Sequence, residues 1–435
     1  MEYTPRTVFN TRTELRRAID QLKSELRARP TSSTLQSSYA SLLYVAGYFE
    51  QAEEHARRAL QFSQSNSVAY DVVGRVLYLK GRFREAVRHF RNIGDAEAVG
   101  AGTNWRLAQC FLRLNDYARA ARVLQNHEVT HPLLSLVQKV AEAPAFQLTG
   151  AATAVIPMLL MDPLPVIEIS VNGHKTFAFI DTGGPGISVS LEFARKKQFP
   201  IISSFKGTYA LKDDAPVHAL QIDSVSLGGV TLSNLPGFAL PGVRPKLGKY
   251  RCEACIGTGI LNQFLTTVDY PNHRLILSRR KTSATRKKQF GLLGKTELKV
   301  RVPFYMASDH YLLARGALNT VDDLTFFVDS GLAAFGQPSQ DAPPTQAAFM
   351  TWYDVLQEYR INDAEKEPAF PYFYPIESLF LGSLAAHGLC GFVNSREGQR
   401  LRLDDVMIDG LVSHAFLRNY AWTIDFDRYE FVFSR

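Results

Sequence analysis

Two rhythms of apolar and polar positions divide this chain. Up to about residue 132, small and apolar residues recur with helical spacing, and Leu15 and Ala18 already follow it. From about residue 148 the pattern changes to short runs of β-branched and aromatic residues separated by turn residues. "PVIEISVNGHKTFAFID" reads as a strand, an Asn-Gly turn and a second strand. Two of the apolar runs end in an acid. "FAFIDTGGPGIS" places Asp181 at the end of one, and "TFFVDSGLAAF" places Asp329 at the end of the other. A carboxylate beside apolar surface is costly unless it is paired or has a task.

The helical part repeats with a period of 34 residues. Gly47, Gly81 and Asn115 share a column, as do Phe49, Phe83 and Tyr117, and Ala52, Ala86 and Ala120. Ala40, Gly74 and Ala108 form another, and Leu43, Leu77 and Phe111 a fifth. Small residues recur where two helices would touch, and large ones fill the gaps between. These columns resemble tetratricopeptide repeats over roughly residues 13–132. "TELRRAIDQLKSELRARP" fits the second helix of a truncated first repeat, and Pro30 and Pro132 fall where repeats end. The resemblance implies a concave surface for a peptide or protein partner, or else a structural cap on the β-rich part. "HEVTH", His127–His131, matches a zinc-protease spacing, but zinc binding needs one continuous helix. The repeat register ends a helix there and Pro132 comes next, so an inter-repeat turn is expected.

Composition adds bounds. The chain has 435 residues, 46% hydrophobic and 11% aromatic, enough for two or three cored domains. A net charge of +7 is mild for this length and gives no argument for nucleic acid. Four cysteines do not make a disulfide scaffold. The first twenty residues contain no apolar leader segment, and no stretch reaches the roughly 18 apolar residues of a membrane span. A cytoplasmic protein without membrane association is the expectation.

The β-rich part is a sequence doubled. "IGTGILNQFLTTVDYPNHRLILSRR" from Ile256 aligns with "VSHAFLRNYAWTIDFDRYEFVFSR" from Val412, pairing Leu261 with Leu417 and Asp269 with Asp425. Upstream, "IDSVSLGG" from Ile222 matches "IESLFLGS" from Ile376. Both halves thus run in one order: Asp-Thr/Ser-Gly, an Ile-acid-Ser strand, an apolar pair with Gly or Ser, then closing strands. This resembles the aspartic proteases, specifically retropepsin-like lobes fused in tandem as in pepsin, over about residues 150–435. The resemblance implies that Asp181 and Asp329 are the catalytic pair. It implies that Thr182 and Ser330 reach across to the opposite lobe, and that Gly183 and Gly331 turn the loops tightly. It further implies that Gly257 and Ser413, after their apolar pairs, support the catalytic loops from below.

Two carboxyls a few ångströms apart hold one negative charge over a wide pH range, since ionising the second costs extra. The ionised member can take a proton from water while the protonated one hydrogen-bonds a peptide carbonyl. Gly184 and Leu332 stand where pepsin-like enzymes carry a hydroxyl donor, so the pair is expected to titrate higher than in strongly acid proteases. A flap is expected near "KGTYALKDDAPVHAL", with Tyr209 covering the cleft. The aromatic-rich stretch from Thr345 to Pro375 is a lid or a packing insertion. "CEAC", Cys252–Cys255, is expected to be a reduced pair, and the basic "RRKTSATRKK" from Arg279 a solvated linker between lobes.

The resulting expectation is a multidomain chain. An all-α tetratricopeptide solenoid (1–145) precedes an all-β bilobal aspartic protease with lobes at 146–280 and 296–435, joined by a basic linker at 281–295. The expected function is peptide-bond hydrolysis by Asp181 and Asp329 without metal or organic cofactor, on peptide or protein substrates, with the array recognising substrate or partner. The alternative is a non-catalytic peptide-binding adaptor built on the same fold.

Overall fold

The computed structural model describes residues 3–93, 102–126, 131–209, 212–242, 245–280, 283–294, 299–334, 346–361, 369–396 and 400–435. An N-terminal helical region precedes a larger β-rich region. The helices are α1 (Arg12–Ala28), α2 (Ser33–Val45), α3 (Phe49–Phe62), α4 (Ser67–Leu79), α5 (Phe83–Arg91), α6 (Gly102–Arg113), α7 (Tyr117–Gln125) and α8 (Leu134–Val140). The Thr11 side chain accepts from Glu14 N–H at the start of α1, and the Glu14 carboxylate returns to the Thr11 backbone.

The repeating columns have structural work to do. Ala40, Ala108, Ala52, Ala86 and Ala120 are fully buried where helices cross. A Cβ at Gly74 would stand 2.6 Å from the Phe90 ring. Gly47, Gly81 and Asn115 all have left-handed backbones, with φ of 85°, 74° and 56°, closing the turn between paired helices. These turns also face the β-rich region. A Cβ on Gly47 would meet Thr325 Oγ1 at 2.4 Å, and one on Gly81 would meet the Tyr429 ring at 2.2 Å.

The helical region does not stand apart from the β-rich region. One apolar cluster joins Leu15, Phe49 and Leu77 to Phe327, Met350, Trp352 and Leu411. The Arg12 guanidinium, 3% exposed, donates to Asp409 at 2.6 and 2.9 Å and to the carbonyls of Ala46 and Met407. Glu358, at the end of the short helix Tyr353–Glu358, accepts from Thr13 N–H at 2.6 Å and Thr13 Oγ1 at 2.7 Å. At the far end, Asn234 Nδ2 donates to Val140 O and Ala143 O at 2.9 and 2.8 Å, tying α8 to the first half of the β region. The described part of the stretch from Thr345 to Pro375 thus includes a helix that docks on the helical region.

Among the described residues, the β region forms sheets of nine, seven and six strands and a two-stranded ribbon. The nine-stranded sheet holds Val166–Val171, His174–Ile180 and Tyr250–Ile256; the seven-stranded sheet holds Tyr311–Leu318, Val321–Val328 and Gly410–Val412. The six-stranded sheet is shared. The duplicated closing strands Phe264–Asp269 and Ala421–Asp425 pair antiparallel at its centre, with Val268 opposite Trp422 and Thr267 opposite Thr423. The duplicated acids Asp269 and Asp425 sit at the hairpin turns of these strands. Asp269 accepts from Arg274 Nε at 2.7 Å, and Asp425 accepts backbone N–H bonds from Asp427 and Arg428.

The basic segment is a helix, Ser283–Leu292, and not a solvated linker. Arg286 donates to both oxygens of Asp425 at 2.6 and 2.9 Å, and Gln289 is fully buried, donating to Thr267 Oγ1 at 2.7 Å. Its charge read as solvated because its acidic partners lie far along the chain.

Candidate active site

Each acid leaves the end of a strand held in parallel by a second strand. Ile180 pairs with Ile256, and Val328 pairs with Val412. The next amide continues the contact: Asp181 N–H donates to Ile256 O at 3.0 Å and Asp329 N–H to Val412 O at 2.9 Å. The same local design is built twice, and the two copies meet.

They meet through the residues after the acids. Thr182 N–H donates to Ser330 Oγ at 2.9 Å, and Ser330 N–H to Thr182 Oγ1 at 3.0 Å. Thr182 Oγ1 donates on to Val328 O at 2.9 Å and Ser330 Oγ to Ile180 O at 3.4 Å. Both side chains are fully buried, so each hydroxyl must be satisfied within the protein, and each is satisfied by the opposite loop. Gly183 N–H bonds Asp181 Oδ1 at 2.7 Å and Gly331 N–H bonds Asp329 Oδ1 at 2.9 Å. A Cβ on Gly183 would stand 2.7 Å from Asp329 Oδ1, and one on Gly331 would stand 2.2 Å from Asp181 Cγ. Each carboxyl therefore lies over the glycine of the other loop, which explains why only glycine fits.

The electrostatics follow from this proximity. Burial, then the neighbouring Asp181 charge, push the Asp329 carboxyl well above the usual carboxylate range, against the N–H bonds of Gly331 and Leu332. The Cys255 thiol lies 3.7 Å from Asp181 Oδ2, and burial followed by the Asp181 charge push it well up, so it stays an S–H donor. This contact was not read from the sequence. The signal was available: Cys255 directly precedes the Ile256–Gly257 pair that runs beside the Asp181 strand.

Gly257 packs tightly against the first loop. Its N–H donates to Gly186 O at 2.5 Å, and a Cβ there would meet Gly184 O at 2.3 Å. Ser413 has room, because the second loop runs differently. Its Oγ donates to Ala347 O at 2.6 Å and accepts from Ala415 N–H at 3.1 Å, capping a short helix. Beside it, His414 and Arg418 both bond Asp162 Oδ1, at 3.0 and 2.7 Å, and lower its carboxyl to about 2, the His414 bond having the larger effect. Tyr209 ends the hairpin strand Ile201–Tyr209 and pairs with Lys212; its side chain lies outside the described residues. His127 lies outside them too, while the His131 ring stacks on Trp105 at 4.2 Å.

Solved structures similar to this chain include a retropepsin-like aspartic protease from Rickettsia conorii, 20% identical over 31% of this chain and 95% of that one, with a TM-score of 0.25. An aspartic proteinase from Irpex lacteus is 11% identical over 65% of this chain and 97% of that one, with a TM-score of 0.41. MamA is 13% identical over 29% of this chain and 78% of that one, with a TM-score of 0.27. No curated protein matches the chain. No described helix is long and apolar enough to cross a membrane. Residues 167–261, which contain Asp181, Cys255 and Gly257, match the aspartyl protease family.

Proposed function

We propose that this chain is an aspartic endopeptidase in which Asp181 and Asp329 share one proton and activate one water. The observation that carries the reading is the reciprocal Thr182–Ser330 bonding, which sets two separate Asp-Thr/Ser-Gly loops face to face. The family match at 167–261 supports it. The ionised carboxylate takes a proton from water as its oxygen bonds the peptide carbon, while the protonated carboxyl donates to the carbonyl oxygen. The tetrahedral diol then collapses. Its C–N bond breaks as one carboxyl gives its proton to the leaving amine and the other carboxylate takes a proton from a diol hydroxyl, so the product acid and amine are released and the pair stays singly protonated. Substrates are extended peptides laid across the two loops, with the hairpin formed by Ile201–Tyr209 and Lys212–Leu227 as the flap in this reading. In this reading the two halves are lobes and the helices a tetratricopeptide-type array.

An adaptor would have no need to keep both acids, both hydroxyls and both glycines in mutual contact. Removing either carboxyl leaves the other without its shared proton. Asp181→Asn and Asp329→Asn are each expected to lower kcat for a cleaved peptide by about 10³-fold or more, with chelators having no effect. Near-normal cleavage by Asp329→Asn, with cut sites read by mass spectrometry, would refute the dyad.

A further inference from the structure

The two catalytic loops are near copies, but their surroundings are not. Cys255 occupies the ladder position opposite Phe179, and Leu411 occupies the equivalent position opposite Phe327. Gly184 follows the first Asp-Thr-Gly and Leu332 the second Asp-Ser-Gly. A Cβ at residue 184 would already touch Cys255 Sγ at 3.4 Å, so the glycine leaves the sulfur its space beside the loop. The thiol is 5% exposed and aims at Oδ2 of Asp181, the oxygen that Gly183 N–H does not serve. In the second half, Leu411 offers Asp329 no side-chain donor. Among the described residues, the titratable groups on neighbouring strands that respond to the charges of this pair are Cys255, which also responds to Cys252, and Tyr311, which responds to Asp329.

Resting on the protease reading above, we propose that Cys255 is a positioning residue that breaks the symmetry of the dyad: its S–H bond to Asp181 fixes the negative charge on Asp181 and leaves the shared proton on Asp329. A hydrogen bond donated to a carboxylate favours its ionised form, and a donor on one side only gives the two acids different roles. Asp181 then serves as the base toward water and Asp329 as the acid toward the carbonyl. The strand that ends in Ile256–Gly257 thus supplies a chemical asymmetry as well as support.

The test uses the full chain and three variants, with folding followed by circular dichroism. Cys255→Ala and Cys255→Val remove the donor, and Cys255→Ser keeps one. The acid limb of the kcat/KM–pH profile is expected to move upward by roughly half a unit in the first two, the size of one weak bond to a charged acceptor, and to return in Cys255→Ser. A purely packing role would lower the rate at every pH and leave the limb in place. In parallel, carbon-13 carboxyl resonances of labelled aspartate, assigned by the loss of one signal in Asp181→Asn, report the titration without any catalysis. An upward shift of the Asp181 signal in the donorless variants, reversed by serine, supports the assignment even if no peptide is cut; absence of cutting would count against the protease reading alone. An unshifted Asp181 titration in a folded Cys255→Ala or Cys255→Val protein, or equal shifts in Cys255→Ser, overturns it.

Discussion

Thr267 and Thr423 face each other at the centre of the shared sheet, and their hydroxyls are 2.6 Å apart. They are also each other's counterparts in the duplicated sequence, since the register that pairs Leu261 with Leu417 pairs Thr267 with Thr423. The approximate twofold relating the halves therefore passes through this pair. Both residues are fully buried, and Gln289 donates to Thr267 from the helix above. Thr267→Val would leave the Gln289 Nε2 without its acceptor, and Thr423→Val would remove one of the two partners of the Thr267 hydroxyl. Each is expected to cost about 1–3 kcal/mol in urea unfolding, and the double variant less than the sum. Additive losses would mean that the two hydroxyls do not interact.

Thr182 and Ser330 each donate and accept between the two Asp-Thr/Ser-Gly loops. Thr182→Ser keeps the hydroxyl and is expected to stay within a few-fold of wild-type kcat. Thr182→Val strands Ser330 N–H and loosens the opposite loop, for about 1–3 kcal/mol of stability and a fall in kcat of at least tenfold. Steady-state kinetics with thermal unfolding separates the outcomes; a Thr182→Val enzyme with normal kcat would show that the carboxyls hold their places without this lock.

Arg12 reaches from the first helix to Asp409, which also accepts Thr325 N–H in the strand leading to Asp329. Truncation to a fragment starting near Phe146 would remove the close Arg12 partner of buried Asp409, leave it only the longer Arg400 pair at 3.8 Å, and expose the apolar face around Phe327 and Trp352. Such a fragment is expected to be aggregation-prone and inactive even on short peptides. Arg12→Ala in the full chain is expected to cost about 3–5 kcal/mol. A soluble, folded fragment that cuts short peptides at the full-chain rate would make the helices a recruitment device only.

The raised Asp329 carboxyl sets two pH dependences of known sign. In the proposed mechanism Asp329 must hold its proton, so the alkaline limb of the pH–rate profile is expected to follow that raised value, and the optimum is expected between mildly acidic and neutral pH. The folded state also binds this proton more tightly than the unfolded chain does. Its contribution to stability is full below the unfolded value of about 4 and is lost as pH rises through the folded one. Chemical denaturation from pH 4 to 8 is expected to show this slope in wild type and not in Asp329→Asn. An optimum confined to strongly acid pH would show that further donors hold Asp329 ionised.

Local pattern was enough for what is local. The 34-residue columns marked the helices, because helix contacts depend on residues close in sequence, and the column of Gly47, Gly81 and Asn115 falls on the left-handed turns between them. Duplication located both acids, since each half builds the same strand-and-loop unit from its own residues. Tertiary structure decided everything that depends on partners distant along the chain. The charges of the basic segment look solvated until Asp425 and Asp427 fold beside Arg286. Arg12 looks like a surface helix residue until Asp409, 397 positions away, is brought to its guanidinium. Cys255 looks like an inert thiol until parallel pairing with the Asp181 strand aims it at a carboxylate. Hydrophobic periodicity records which face is buried, not what buries it, so the docking of the helices on the β region was decided only when the chain folded.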